Sequence, residues 1–153
     1  MSNLLKKEDR GFTLIEIVLV LAIAGLIMVI VFLAVSGAQR SRRDTQRKND
    51  LSRIASLVES YASNTQGCYP GSAAAAGCGA AQTWAAFAAS TYITTANLND
   101  PSTGAAYGYG AYSATEAQGN VGYRYGTSCD GTAGRFYSLI MGLENGVDCV
   151  DNK

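Results

Sequence analysis

From Phe12 to Val35 the chain is almost wholly apolar, and from Ile17 to Val35 no polar side chain interrupts it. That uninterrupted part is about nineteen residues, close to what one helix needs to cross the hydrocarbon core of a bilayer. It holds one Gly, Gly25, and no Pro. A soluble core helix is rarely so long and so uniform, so this segment fixes the first third of the chain. Three readings compete. A secretory signal has support from the basic start at Lys6, Lys7 and Arg10 and from the small residues Ser36-Gly37-Ala38, but the apolar run exceeds the usual seven to fifteen residues. A plain single-pass anchor is the second. The third is a precursor whose short leader is clipped just before the apolar segment, and only that reading uses the residues at the boundary.

Those boundary residues are Arg10-Gly11-Phe12-Thr13-Leu14-Ile15-Glu16. They resemble the class III signal of type IV prepilins and pseudopilins, in which a short charged leader ends in Gly before a long apolar helix. The resemblance implies cleavage between Gly11 and Phe12 by a prepilin peptidase, methylation of the new amino terminus at Phe12, and a role for Glu16 in subunit assembly. Elementary electrostatics bears on Glu16 as well. A charged side chain at the centre of a membrane helix costs roughly 2.5–3.5 kcal/mol, so such a residue is expected to have a partner. The Phe12 amine of a neighbouring subunit would be one, and a Glu near the start also suits the positive end of the helix dipole. The alternative is a Glu that merely reaches the headgroup region. Many pilins carry a Pro deep in the apolar segment; here that stretch reads Val31-Phe32-Leu33-Ala34, which looks more like pseudopilins and pilins outside the best-known Gram-negative set.

Neither Pro nor Gly occurs from Gln39 to Gln66, and Leu51, Ile54, Val58, Tyr61 and Ala62 recur at helical steps. The pattern predicts one helix from Phe12 to Gln66, about 80 Å long, with an apolar half and an amphipathic half. Gly67 stops it and Pro70 follows. Arg43-Asp44-Thr45-Gln46-Arg47-Lys48-Asn49-Asp50-Leu51 and Gly67-Cys68-Tyr69-Pro70 also look like the helix exit and Tyr-Pro turn of pseudopilins and Gram-positive-type pilins. The cations from Arg40 to Lys48 are read as a solvated stretch that meets lipid headgroups before assembly and acidic groups of neighbours afterwards. They follow the apolar segment, so the positive-inside rule would keep the C-terminal side in the cytoplasm. The cysteines argue the opposite.

All four cysteines lie after residue 67. An even number confined to one region reads as a disulfide framework in an oxidising compartment, and their spacing lacks the close Cys pairs of a zinc site. Cys68 precedes the Gly71–Ala81 loop and Cys78 lies within it, which suggests that they pair to close it; Cys129 and Cys149 follow the second and third candidate strands, which could bring them within bridging reach, so they are the second expected pair. Two other connectivities stay open. Thr83 to Ser90 predicts a short helix with Trp84 and Phe87 facing a core, and Asn97 to Gly104 has turn chemistry. Three strands follow: Tyr107 to Tyr112, Val121 to Thr127 and Phe136 to Leu143, the last ending at the Glu144-Asn145-Gly146 turn. The many tyrosines are read as strand and core residues rather than a binding face.

There is no His, no Gly-rich phosphate loop and no pair of carboxylates in a plausible cleft, and a Ser or Cys nucleophile would lack an evident base. The expectation is a non-enzyme with no metal and no cofactor, and no nucleic-acid partner. The expected fold class is α+β and type IV pilin-like, a long N-terminal helix packed on a small antiparallel three-stranded sheet. Its parts are a leader (1–11), a transmembrane or fibre-core helix (12–35), its amphipathic continuation (36–67) and a disulfide-containing head (68–153). The resemblance implies a structural subunit of a type IV pilus or pseudopilus. Its partners would be other pilin subunits, the peptidase, the assembly machinery and membrane lipid. It would start in the cytoplasmic membrane and end in a filament on the cell surface. A membrane-anchored or secreted binding module that never polymerises is the rival.

Overall fold

The computed structural model describes residues 11–72, 78 and 82–153. The expectations for Lys6, Lys7 and Arg10 and for residues 73–77 and 79–81 of the Gly71–Ala81 loop lie outside them. The chain forms two compact units, Met1–Gln39 and Arg40–Lys153.

One helix, α1, runs from Leu14 to Asn64. Its start is set by Thr13, whose hydroxyl accepts the Glu16 N–H. Its end is set by two residues in the left-handed region, Gln66 at φ 58° and Gly67 at φ 84°. The Gly67 N–H closes back on the Ala62 carbonyl at 2.8 Å, satisfying a carbonyl that the last turn leaves free. In the first unit every described residue is exposed: Leu14 is 83% and Phe32 79% accessible. One helix here is long and apolar enough to cross a membrane.

The second unit is built on the rest of α1. Leu51, Ile54, Ala55, Val58, Tyr61 and Ala62 are buried at three- and four-residue steps, the stripe that the sequence pattern marks out. Two short helices follow, α2 (Trp84–Ala88) and α3 (Thr91–Thr94). Thr83 caps α2 by accepting the Ala86 N–H. Then come β1 (Gly108–Ala111), β2 (Asn120–Thr127), β3 (Ala133–Leu143) and β4 (Gly146–Asp151), in that spatial order.

The sheet is four-stranded and mixed, where three antiparallel strands were expected. β2–β3 and β3–β4 are antiparallel, but β1 runs parallel to β2. The fourth strand is the segment after the Glu144-Asn145-Gly146 turn: Leu143 and Gly146 form the closing pair of a tight hairpin and the chain continues as β4. β1 is shorter than Tyr107–Tyr112, because Tyr107 is a core residue ahead of the strand and Tyr112 lies beyond its end.

Period-2 alternation places Val121, Tyr123 and Tyr125 across from Met141, Leu139 and Tyr137. These meet Leu51, Ile54 and Val58 of α1 and Phe87 of α2 in one core. Tyr61, Tyr107, Tyr123 and Tyr137 are buried, so these tyrosines are packing residues. The other sheet face is covered by the segment after β1. A Cβ at Gly142 would fall on the backbone of Ala117, and one at Gly122 would meet Glu116 and Ile140. Arg124 lies 3.8 Å over the Tyr112 ring on the same side.

Candidate functional site

Residues Thr13 and Glu16 form a small hydrogen-bonded knot at the start of α1. The Glu16 carboxylate accepts from both the backbone N–H and the hydroxyl of Thr13, each at 3.4 Å. Thr13 returns the bond by accepting the Glu16 N–H at 3.3 Å. This is a capping box, in which two of the free N–H groups of the first turn satisfy each other's side chains. It holds the carboxylate at the positive end of the helix dipole. Gly11, Phe12, Thr13 and Glu16 line one recess of about 440 Å³. Phe12 is 79% exposed. A Cβ at Gly11 would meet nothing within 4 Å, so this chain supplies no steric reason for glycine there. The spacing Thr13-x-x-Glu16 signals such a box, and a reading of Glu16 by charge alone passes over it.

Away from that knot, the cations at the entrance to the second unit have partners of their own. Arg47 is fully buried. Its guanidinium donates to Asp100 at 2.8 and 3.2 Å, to Asp44 at 3.1 Å and to the Ser102 hydroxyl at 3.0 Å. Arg43 hydrogen-bonds Glu144, with the Arg40 Nε 3.7 Å from the same carboxylate. Lys48 Nζ lies 3.5 Å from Asp148. The expectation of a solvated stretch is therefore corrected for Arg47, which is buried, while Arg40 and Lys48 keep more than half of their side-chain surface exposed. Four of these cations already pair within the head, because α1 carries them past the Asp100 turn and the β3–β4 hairpin. The sequence reading takes Arg47 as one of the solvated cations, because nothing local points to a partner fifty-three residues away.

Burial alone would raise the Asp100 carboxyl. Hydrogen bonds from Arg47 and from the Ser102 hydroxyl and N–H outweigh it and hold Asp100 well below the usual carboxylate range. The same turn accounts for Asp100-Pro101: the carboxylate also receives the Thr103 N–H at 3.2 Å and fixes the loop. Glu144 is likewise lowered, first by its hydrogen bond from Arg43.

Two disulfides join Cys68 to Cys78 and Cys129 to Cys149. The first ties the segment after α1; the second staples the β2–β3 connection to β4. Nearby, Cys129 N–H donates to Asp151 at 2.7 Å, and Asn152 accepts the Tyr137 N–H at 2.8 Å, so the C-terminal residues are part of the fold. Among the described residues no group of His, Cys, Asp and Glu is arranged to hold a metal ion.

Comparison with known proteins agrees with the N-terminal geometry. Residues 6–32 match the family model described as the prokaryotic N-terminal methylation motif. No curated protein and no solved structure matches the chain. The matched span covers Gly11, Phe12, the Thr13–Glu16 box and most of the exposed apolar half of α1. At its amino terminus the chain thus carries the class III, N-terminal methylation signal of the type IV pilin family.

Proposed function

We propose that this protein is a structural subunit of a type IV pilus or pseudopilus. The precursor is held in the cytoplasmic membrane by residues 12–35, a prepilin peptidase cuts between Gly11 and Phe12, and Phe12 is methylated. Mature subunits then pack through their apolar helices into a filament that displays residues 68–153 outside the cell. The observation that carries this reading is the methylation motif set directly on an apolar helix segment whose described residues are all exposed. An apolar surface of that size needs lipid or other copies of itself. Glu16 meets the Phe12 amine of the next subunit. At low dielectric the attraction is strong, but desolvation offsets much of it, so the pair sets register more than it adds stability.

The capping box changes how Glu16 is to be tested. Glu16→Val removes both the charge and the cap, whereas Glu16→Gln keeps an acceptor for Thr13 and removes only the charge. In a strain lacking the wild-type subunit, both variants should be inserted and cleaved, and both should accumulate in the membrane with few fibres. Normal fibre yield from Glu16→Gln would discard the charge-pairing role. The rival, a non-polymerising anchored or secreted module, is separated by the amino terminus of the native protein. Phe12 supports processing as a prepilin, Gln39 a secretory signal, and Met1 or Ser2 a plain anchor. Gly11→Val should leave the longer precursor in the membrane, since the open space around Gly11 puts any demand for glycine in the peptidase rather than in this chain.

A further inference from the structure

A second concavity lies in the head, far along the sequence from the cleavage motif. It is a half-open cleft of about 410 Å³ between α3, the Asn97–Asn99 segment and the start of β1. Pockets that hold small molecules run from about 300 to 1,000 Å³. Its floor is apolar: Ile93, Leu98 and Tyr107 are buried core residues, with Ala88 and Ala106 beside them. Its rim is polar but uncharged. Asn97 and Asn99 are exposed on either side of buried Leu98, and Tyr109 forms a half-buried aromatic wall.

The rim is held firmly. Asn99 is bridged antiparallel to Ala106, and Asp100 next to it is fixed by Arg47, Ser102 and Thr103. Asn97 sits at φ 48°, in the left-handed region that asparagine enters more readily than most non-glycine residues. Arg53 donates to the Ala96 carbonyl and the Tyr107 hydroxyl to Asp50; among the described residues no hydrogen bond engages the side-chain amides of Asn97 and Asn99 or the Tyr109 hydroxyl. Asp100, next to the rim, is paired with the Arg47 guanidinium at 2.8 Å, and Asp50 faces Arg53 at 3.6 Å. Burial, helped by Asp50, pushes the Tyr109 phenol up to about 12, so it stays a neutral donor.

Free side-chain amides at the edge of an apolar floor, beside an aromatic ring and with no net charge, suit a neutral ligand that combines hydroxyl groups with a small apolar substituent. We infer that this cleft binds a neutral saccharide of the N-acetylhexosamine class: Asn97 and Asn99 hydrogen-bond the sugar hydroxyls, Tyr109 packs on the ring, and the acetamido methyl rests on the floor formed by Ala88, Ile93 and Ala106. The inference stands independently of polymerisation, since an anchored monomer would present the same cleft.

Trp84 is the sole tryptophan, and its ring lies edge-on to Tyr109 with centroids 6.0 Å apart, so its fluorescence reports on the cleft. The experiment titrates the full chain, in a zwitterionic detergent without a sugar headgroup, with N,N′-diacetylchitobiose and separately with cellobiose. The expected result is a saturable change with diacetylchitobiose, half-complete on the order of 1 mM or below, and a much weaker one with cellobiose. Asn97→Gly tolerates the backbone conformation and Asn99→Ala leaves the bridge intact, so both should keep the far-ultraviolet spectrum and both disulfides. The double variant should bind at least about tenfold more weakly, the loss of about 1.4 kcal/mol of contact. Absence of saturation at roughly ten times the expected concentration, or unchanged binding by the folded double variant, overturns the site. Equal responses to both sugars overturn the acetamido assignment.

Discussion

Arg47 occupies a place that helical periodicity would give to an apolar residue. It falls on the same face as Leu51, Ile54 and Val58, and is fully buried with them. A buried guanidinium is tolerable only if its donors are satisfied, and here Asp100, Asp44 and Ser102 do so. Removing one member of such a set costs more than the pair is worth, because the other charge is left stranded. Arg47→Met should therefore destabilise the head by about 3–5 kcal/mol, while Arg47→Met with Asp100→Asn should lose much less; chemical denaturation of the three proteins measures both. The pH dependence has a definite sign. Asp100 has a lowered pKa in the folded chain, against about 3.9 when unfolded, so below that value the unfolded chain binds more protons. Its contribution is fully present above about pH 4 and is lost as the pH falls through the folded value. Denaturation midpoints should drop progressively as the pH falls below about 4, and Asp100→Asn should remove part of that drop, Glu144 and Asp130 supplying the rest. Periodicity places Arg47 on the buried stripe, yet nothing local in the sequence links it to Asp100, and so the cluster was read as solvated.

Elements differ in how far local signals determine them. α1 was legible because its signals repeat over fifty-one residues and end at a left-handed turn. Thr83 to Ser90 was legible because a cap and two spaced aromatics define α2. β4 was missed: Gly146-Val-Asp-Cys-Val-Asp carries two carboxylates and only short apolar side chains, and its strand character comes from pairing with β3. The parallel pairing of β1 with β2 was also beyond reach, since four residues rich in glycine carry no information on direction. Two substitutions probe the elements with opposite signs. Gln66 holds a left-handed conformation that glycine adopts without strain, so Gln66→Gly should stabilise the head by about 1 kcal/mol. Gly142→Ala would drive a methyl into the Ala117 backbone over the sheet and should cost about 1–3 kcal/mol. Thermal or urea melts of each variant against the parent give the comparison.

At the scale of the whole molecule the two compact units have opposite needs. The described residues of the first are all exposed, apolar side chains included, so that unit demands a surrounding of lipid or of other helices. The second has its own core, joining the amphipathic part of α1, the short helices and the sheet, and it carries both disulfides. Closing loops of ten and twenty residues removes enough unfolded-chain entropy for about 3 kcal/mol each by the loop-closure estimate. The ion pairs of Arg40, Arg43, Arg47 and Lys48 also lie wholly inside it. A chain starting at Arg40 should therefore fold without the apolar segment. Exported to an oxidising compartment, Arg40–Lys153 should be soluble, run as a monomer in gel filtration, unfold in a single transition, and yield unreduced peptides linking Cys68 to Cys78 and Cys129 to Cys149. Reduction should lower its stability by several kcal/mol without removing the helix–sheet core at once, because the apolar cluster that joins α1 to the sheet contains no cysteine. The same fragment, lacking the motif and the apolar helix, should not enter fibres made by the full-length protein. An aggregated or unfolded Arg40–Lys153 with its disulfides formed would mean that the head depends on the first unit, and the division of the chain at Gln39 would have to be abandoned.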